Sequence, residues 1–559
     1  MWRMKNRSRL ALLSLFIVLI SLTGCGVPSA HGPSDTYGLD FSLAPKAKEQ
    51  AQGAIIFFVD GLNAEIFDEM LHNGELPAIK KYFVDRGAYA PCAVASLPSS
   101  TLANQTSMMT GMFPGHHGVV GTEWFDRSNL LYRNYNTIAQ KNTVDFDHNS
   151  TTIYEQLSDR TTWSLFFQVH RGASQFIENR ISGGVSYFFG MYELTDRITL
   201  YRLKLVAEAA QARQEWPAFI SVYMLAPDFR AYRLGIEHPL YEDAIRHADY
   251  QLGRVLGDLE SAGLLDRLHL VLLSDHGMHR APVHFMVENY LEKGLGLKLA
   301  RKKYYEKTRF NQRWQYYSKY NVVSMVCGDG FASFYLRRPI RENGKVVGFD
   351  SWLQSSTIED MENYPVGKNL DQTVNLPQKL LKHPAVDSLA FALSPDVVRV
   401  RLRQGEVEIR AHRHPSGTTY SYHLIEGSDP LGWAGHVPPD ALAGNKYTGR
   451  EWLAMTNKTD YPDLPEQIVT LFQHHRVGEL VLFAADGYDF RDNNVAAHGG
   501  TRAVDMHVPF IIAGEGIPHG RLENIRTVDL KPTLLQLLGR EVPAGLDGRP
   551  IDFSTVEPY

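Results

Sequence analysis

Cysteine is scarce in this chain, with three among 559 residues. That is too few for a disulfide-dense scaffold or for a four-cysteine zinc site. Positive charge is not in surplus either. Lys and Arg total 57 against 62 Asp and Glu, a net charge of −5, so the balance does not call for nucleic acid as an obligate partner. One apolar run stands out, residues 10–22, and it is shorter than the roughly 20 residues a membrane span needs. Solenoid repeats and long low-complexity tracts are missing, and 44% hydrophobic with 21% charged residues excludes a disordered or collagen-like chain. What the chain does hold in number is histidine, 22 in all, which leaves room for metal chemistry.

The apolar run follows Arg3, Lys5, Arg7 and Arg9 and ends at Leu22-Thr23-Gly24-Cys25. A basic start and a short apolar core suit a signal peptide, and the last four residues resemble a bacterial lipobox. The resemblance implies a lipoprotein signal peptide over 1–24, cleavage before Cys25, and lipidation of its thiol. The protein would then sit in a bacterial cell envelope, anchored to the membrane on the periplasmic or outer-membrane side. The alternative is an ordinary secretory signal with Cys25 incidental. Residues 25–50 are rich in Gly, Pro, Ser and Ala and read as a flexible tether. Cys92 and Cys327 either pair in an oxidising compartment or remain free thiols.

Beyond the tether, short Val/Ile/Phe-rich runs at 54–59, 163–169, 219–225, 268–273, 480–484 and 508–512 read as strands buried on both faces. Helical patterns lie between them, at 241–264 and at 528–538 before Gly539. The expected fold is α/β: a mostly parallel central sheet sandwiched by helices, built from 51–299 and 476–559. Residues 300–475 break the rhythm and read as an inserted, partly antiparallel cap. Within it, alternating residues 398–403 and 406–410 flank Gln404-Gly405 as a hairpin. Residues 301–320 carry seven Lys/Arg and seven aromatics. They suit an anion or base-stacking surface, a lipid-headgroup face, or a solvated helix with an aromatic packing side.

Asp60, Asp228 and the pair Asp275-His276 each follow a strand run. In open parallel sheets ligands bind beyond the carboxyl ends of strands. Three carboxylates gathered there would repel one another, and a divalent cation is the simplest means of holding them together. A helix opening at Thr101 would turn free N–H groups toward an anion. A hydroxyl there needs assistance to act as a nucleophile at neutral pH.

The motifs that carry these residues are Phe58-Val59-Asp60-Gly61-Leu62; Pro98-Ser99-Ser100-Thr101-Leu102-Ala103-Asn104 with Thr110-Gly111 to His117-Gly118; Asp275-His276-Gly277; and His498-Gly499-Gly500. Together, and in this order, they resemble the alkaline phosphatase superfamily, in particular its nucleotide pyrophosphatase/phosphodiesterase branch. The resemblance implies a hydrolase of phosphoric esters acting on a small phosphorylated substrate, a nucleotide or another phosphodiester. Thr101 would be the nucleophile that becomes phospho-threonine, and Asn104 the donor to a phosphoryl oxygen. Two divalent cations, expected as zinc, would be held by Asp60, Asp275 and His276, together with Thr101, and by Asp228 and His498. One position departs from the pattern. Where the family carries His four residues after the aspartate, this chain has Tyr232. Either Tyr232 binds the cation, or His238 reaches in, or the second site is weak or empty. The same machinery also serves phosphomonoesterases and phospholipid-headgroup enzymes, and a fold that lost its second metal could persist as a non-catalytic binding protein. Trp124-Phe125-Asp126 resembles a segment lining the leaving-group pocket, with core packing as the alternative.

Overall fold

The computed structural model describes residues 53–137, 140–177, 189–213, 216–302, 308–367 and 369–559. The leader, Cys25, the tether and residues 303–307 of the basic-aromatic stretch lie outside the described residues. Among the described residues no helix is long and apolar enough to cross a membrane.

Two eight-stranded sheets organise the chain. The first runs in the spatial order Gly520–Arg521, Gly87–Val94, His507–Ala513, Leu268–Leu273, Gly53–Val59, Phe219–Met224, Thr162–Leu165 and Gln175–Ile177. All of its pairings are parallel except the two made by His507–Ala513. The central strands Gly53–Val59, Phe219–Met224 and Leu268–Leu273 are buried at every position. Helices covering both faces of the sheet account for these uninterrupted apolar runs. Each fully buried Ile, Leu or Phe there contributes about 1.5–3 kcal/mol relative to exposure. Pro239–Ser261, the long helix expected at 241–264, lays Ala244, Ile245, Ala248, Leu252, Val255, Leu256 and Leu259 into the core.

The single reversed strand matters for the site. Val59 pairs with Met224 and Phe58 with Leu273, so the carboxyl ends of the three central strands share one edge of the sheet. His507 pairs with Val94, which puts the start of the antiparallel strand at that same edge. The segment before His507 and the segment after Val94 therefore both arrive beside Asp60, Asp228 and Asp275.

The second sheet is antiparallel throughout. Its order is Val322–Cys327, Phe331–Leu336, Leu480–Ala484, Val386–Ser394, Val397–Leu402, Gly405–His414, Gly417–Gly427 and Tyr447–Thr448. The hairpin expected around Gln404-Gly405 forms, with Leu402 opposite Gly405. On its polar face Arg399 bonds to Glu406 and Glu408 and Arg401 to Glu406, so opposite charges meet across the strands. Residues 480–484 correct the strand reading. They belong to this second sheet, between Phe331–Leu336 and Val386–Ser394, and not to the parallel one. An apolar run of five residues reports burial on both faces, and the middle of either sheet supplies that.

A buried ion pair ties the region of the second sheet to the closing helix. Arg526 donates to Asp463 at 2.5 and 2.7 Å and to the Gly449 carbonyl at 2.9 Å, and it pairs with Glu466 at 2.6 Å. Both Arg526 and Asp463 are shut off from water. Removing one partner of such a pair strands the other charge. Arg526→Ala is expected to lower the unfolding free energy by about 3–5 kcal/mol in denaturant titrations, and a loss below about 1 kcal/mol would show the pair to be dispensable.

Candidate metal-assisted nucleophile site

Each of the three carboxylates is held by one oxygen and offers the other, or is held by its backbone. Asp60 accepts from the Tyr223 hydroxyl at Oδ2, while its Oδ1 is buried with no hydrogen-bond partner among the described residues. Asp275 accepts from the Gly61 amide and the Ser274 hydroxyl at Oδ1, both at 3.3 Å, and its Oδ2 is left over. Asp228 donates its amide to the Asp60 carbonyl at 3.1 Å, and its Oδ1 is unpartnered. Burial first, and then the neighbouring carboxylates, push Asp60 and Asp228 well above the ordinary carboxylate range. Burial also raises Asp275, against the pull of His498.

Two histidines complete the group. The His276 Nδ1 faces the Gly277 carbonyl at 3.0 Å, so Nδ1 carries the proton and Nε2 the lone pair. That lone pair lies 3.4 Å from Asp60 Oδ1 and 3.2 Å from Asp275 Oδ2. His498 repeats the pattern, with Nδ1 on the Ser99 carbonyl at 2.6 Å. The two imidazoles stack with centroids 3.4 Å apart, and burial pushes both down to about 3, which keeps them neutral. Potential ligand atoms within 4.8 Å of one another form two groups, Asp60–Asp275–His276 and Asp228–His276–His498. Lone pairs and orphaned carboxylate oxygens aimed at one another are unfavourable by themselves. A divalent cation at each group reverses the sign of every one of these contacts, so the donor set fits a cation. Carboxylate oxygen plus imidazole nitrogen suits zinc and other first-row divalent ions.

The Asp-Gly sequence at 60–61 has a steric reason. Gly61 has φ +69°, and a Cβ there would sit 2.8 Å from Asp228 Cα. Only glycine lets the strand end turn while Asp228 packs against it. The same turn is pinned by Tyr241, whose hydroxyl donates to the Gly61 carbonyl and accepts from the Asn63 amide, both at 2.8 Å.

Thr101 opens the helix Thr101–Thr110, as expected. Its Oγ1 lies 3.2 Å from Nε2 of His276, the residue shared by both ligand groups. Ser100 stands at the N-cap, yet its side chain makes no capping bond, and its Oγ is buried without a partner among the described residues. The first-turn amides are thus left for an anion. Gly111 ends the helix in the left-handed conformation. Gly115 passes against the Thr470 carbonyl, where a Cβ would stand 1.7 Å away. The Gly111–Gly118 continuation therefore ends the helix and packs its end closely against the Thr470 backbone.

Several expectations need correction. Asn104 does not face the crevice. It is fully buried; its Oδ1 accepts from the Ser96 amide at 2.6 Å, and its Nδ2 donates to the carbonyls of Ser96, Pro98 and Ser100 at 3.0–3.3 Å. It braces the loop that presents Thr101. His238 does not reach the second group: its Nδ1 accepts from the Leu240 amide as the N-cap of the next helix. Tyr232 does reach it, with Oη 2.6 Å from His498 Nε2. Trp124 and Phe125 are core residues; Trp124 donates to the Tyr135 hydroxyl under the Arg476 guanidinium. Cys92 and Cys327 are unpaired thiols. In the described part of the basic-aromatic stretch, Tyr317 packs on Phe125 and Trp352, and Lys302 pairs with Glu123.

Other contributors were not legible as site residues. Ser99 holds His498 by its carbonyl and bonds Gly499 and Gly500 by its hydroxyl. Asp505 joins His279 at 2.7 Å to the Gly500 amide at 2.8 Å, tying the two histidine loops together. Asp329 lies beside His498, its backbone bridged to that residue, and its charge helps raise Asp228. A carboxylate and a serine inside loops give no periodic signal, and only the folded loops bring them here.

Residues 54–332 match the family model described as type I phosphodiesterase / nucleotide pyrophosphatase. That segment is similar to this family. Ectonucleotide pyrophosphatase/phosphodiesterase family member 1 of Rattus norvegicus is 24% identical over 252 residues, 45% of this chain and 26% of the relative. Venom phosphodiesterase of Macrovipera lebetinus is 24% identical over 242 residues, 42% of this chain and 26% of the relative. The chain thus spans about a quarter of the length of these curated relatives. Among solved structures, murine ectonucleotide pyrophosphatase / phosphodiesterase 5 superposes with a TM-score of 0.53 at 15% identity, covering 88% of this chain and 96% of that one. The matched segment includes Asp60, Thr101, Asp228, Tyr232, Asp275 and His276, and it stops before His498. The α/β architecture is that of this structural neighbour.

The bracing role of Asn104 can be tested without substrate. Asn104→Ala removes an acceptor and a donor that satisfy four backbone groups, and it is expected to lower the unfolding free energy by about 1–3 kcal/mol. Unchanged stability in denaturant unfolding would return Asn104 to the role of a free donor.

Proposed function

We propose that this chain is a metal-dependent phosphoric ester hydrolase of the phosphodiesterase/nucleotide pyrophosphatase type, with Thr101 as its nucleophile. The observation that carries the reading is the position of the Thr101 hydroxyl, 3.2 Å from His276 Nε2 at the meeting point of the two ligand groups. Asp60, Asp275 and His276 would hold one divalent cation, expected as zinc, and Asp228 and His498 a second. When bound, such cations supply Lewis-acid stabilisation of charge on the attacking and leaving oxygens of an in-line displacement.

The chain's own residues do the rest. His276, with its proton fixed on Nδ1, keeps the Thr101 hydroxyl 3.2 Å from Nε2, whose lone pair would hold the cation. The uncapped amides at the start of Thr101–Thr110 face the incoming phosphoryl oxygens with the positive end of the helix dipole. Asn104 keeps the 96–101 loop in one conformation, so the hydroxyl is positioned before substrate arrives. Thr101 Oγ1 attacks phosphorus, the ester oxygen leaves, and the phospho-threonine is then cleaved by water. The family of residues 54–332 supports a phosphoric ester as the substrate class. A nucleotide fits it further, because a structural neighbour was solved as an inactive Thr-to-Ala variant in complex with AMP. A lipid anchor at Cys25 and residence in a bacterial envelope complete the proposal. They rest on the sequence of the leader alone.

With a nitrophenyl phosphodiester as substrate, Thr101→Ala is expected to lose at least about a thousandfold in kcat while its circular dichroism and melting profile stay unchanged. Removing cations with a chelator is expected to stop wild-type turnover, and adding zinc to restore it. Near wild-type activity in Thr101→Ala, or in chelator, would overturn the assignment. Faster turnover of the matching monoester would move the reading to a phosphomonoesterase. Mass spectrometry of the protein extracted from membranes checks the anchor: a diacylglyceryl adduct on Cys25 is expected, and an unmodified thiol would refute it.

A further inference from the structure

The two ligand groups share His276 but are not equivalent, and Tyr232 makes the difference. Tyr232 lies one helical turn after Asp228 on Ala226–Leu234, so the two side chains project from the same side of the helix. The ring of Tyr232 meets that of His498 with centroids 5.6 Å apart, and its Oη stands 2.6 Å from Nε2. Because His498 Nδ1 is committed to the Ser99 carbonyl at 2.6 Å, Nε2 has only its lone pair to offer. The phenol must donate, and the one lone pair of His498 is taken. In the same group Asp228 Oδ1 is buried with no partner among the described residues. The second group therefore couples an oxygen that needs a cation to a nitrogen already satisfied by a hydroxyl. In Asp60–Asp275–His276 the hydroxyl beside the imidazole lone pair is that of Thr101, at 3.2 Å from His276 Nε2, a looser contact than the 2.6 Å of Tyr232. Tyr223 bonds the outer oxygen of Asp60 and leaves the inner one open.

We propose that Tyr232 is a lock on the second cation position: a cation reaches Asp228 and His498 together only by displacing the Tyr232 hydroxyl from His498. The position at Asp60, Asp275 and His276 fills first, and the second fills at a higher cation concentration, set by the strength of that hydrogen bond. The lock rests on the cation-binding reading of the site, but not on which phosphoric ester is cleaved.

The test is binding of zinc alone to the full-length protein after chelator stripping, followed by calorimetry and by metal analysis after dialysis. Wild type is expected to bind in two steps of unequal affinity. Asp228→Asn is expected to lose the weaker step and keep the tighter one, which assigns the steps to the two groups. Tyr232→Phe keeps the ring and removes only the hydroxyl, and it is expected to tighten the weaker step by about three- to tenfold, the worth of one hydrogen bond, leaving the tighter step unmoved. A wild type that retains a single cation beside a Tyr232→Phe variant that retains two would support the lock equally. An unchanged second step in Tyr232→Phe would overturn it. A weaker second step would also overturn it, by making the phenol oxygen a ligand. Failure of every variant to bind zinc would overturn the cation reading of the whole site along with the lock, an outcome distinct from a two-step isotherm that ignores Tyr232.

Discussion

Mutual repulsion among three buried carboxylates is the constraint around which this structure is arranged. Asp60, Asp228 and Asp275 stand at the ends of adjacent parallel strands with almost no access to water. A polypeptide gathers like charges in a dry place only if something opposes their separation. Here the opposition is partly built in: Tyr223 satisfies one oxygen of Asp60, and Ser274 and the Gly61 amide together satisfy one oxygen of Asp275. Asp60 Oδ1, Asp228 Oδ1 and Asp275 Oδ2 stay without partners among the described residues and gather with the two imidazoles, a donor set that fits a cation.

Around this centre the loops are fixed by backbone contacts more than by side-chain packing. Gly61 lets the chain pass against Asp228, and Gly328 does the same for His498, where a Cβ would stand 2.5 Å from Nδ1. Ser99 sets the tautomer of His498 through its carbonyl, as Gly277 does for His276. Asn104 holds the turn before Thr101, and Asp505 links the loop of His279 to that of His498. Chemistry and scaffold are separated by one bond in each case. A small shift in these braces would therefore move the nucleophile relative to both ligand groups.

Much of this could be read along the chain, for identifiable reasons. Strand runs such as 219–225 and 268–273 are unbroken because both faces are covered, and an acidic residue just past such a run marks the edge where ligands bind. Asp60, Asp228, Asp275 and His276 were legible for that reason, and Thr101 because its Ser/Thr cluster and the Gly111–Gly118 continuation together resemble the family's nucleophile segment. Asn104 entered as a phosphoryl-oxygen donor through the family resemblance, which places it on a turn of the helix and does not say that its amide turns back to the preceding loop, as it does. His238 failed similarly: a histidine near the site in sequence was spent on capping the next helix. Residues 480–484 read as a core strand, which they are, but burial carries no label for which sheet.

The amino-acid sequence by itself determined the local elements, the acidic residues at strand ends, the hydroxyl at a helix start and the tyrosine four places after Asp228. These follow from periodicity, side-chain chemistry and short-range sterics, which act within a few residues. The tertiary structure alone decided that a single antiparallel strand, His507–Ala513, delivers His498 to the same edge as the aspartates. It also decided that Tyr232 meets His498 across 266 positions and that Ser99 orients that ring. Such meetings depend on strand order and direction, and those are settled by how whole layers pack, so no window of sequence contains them.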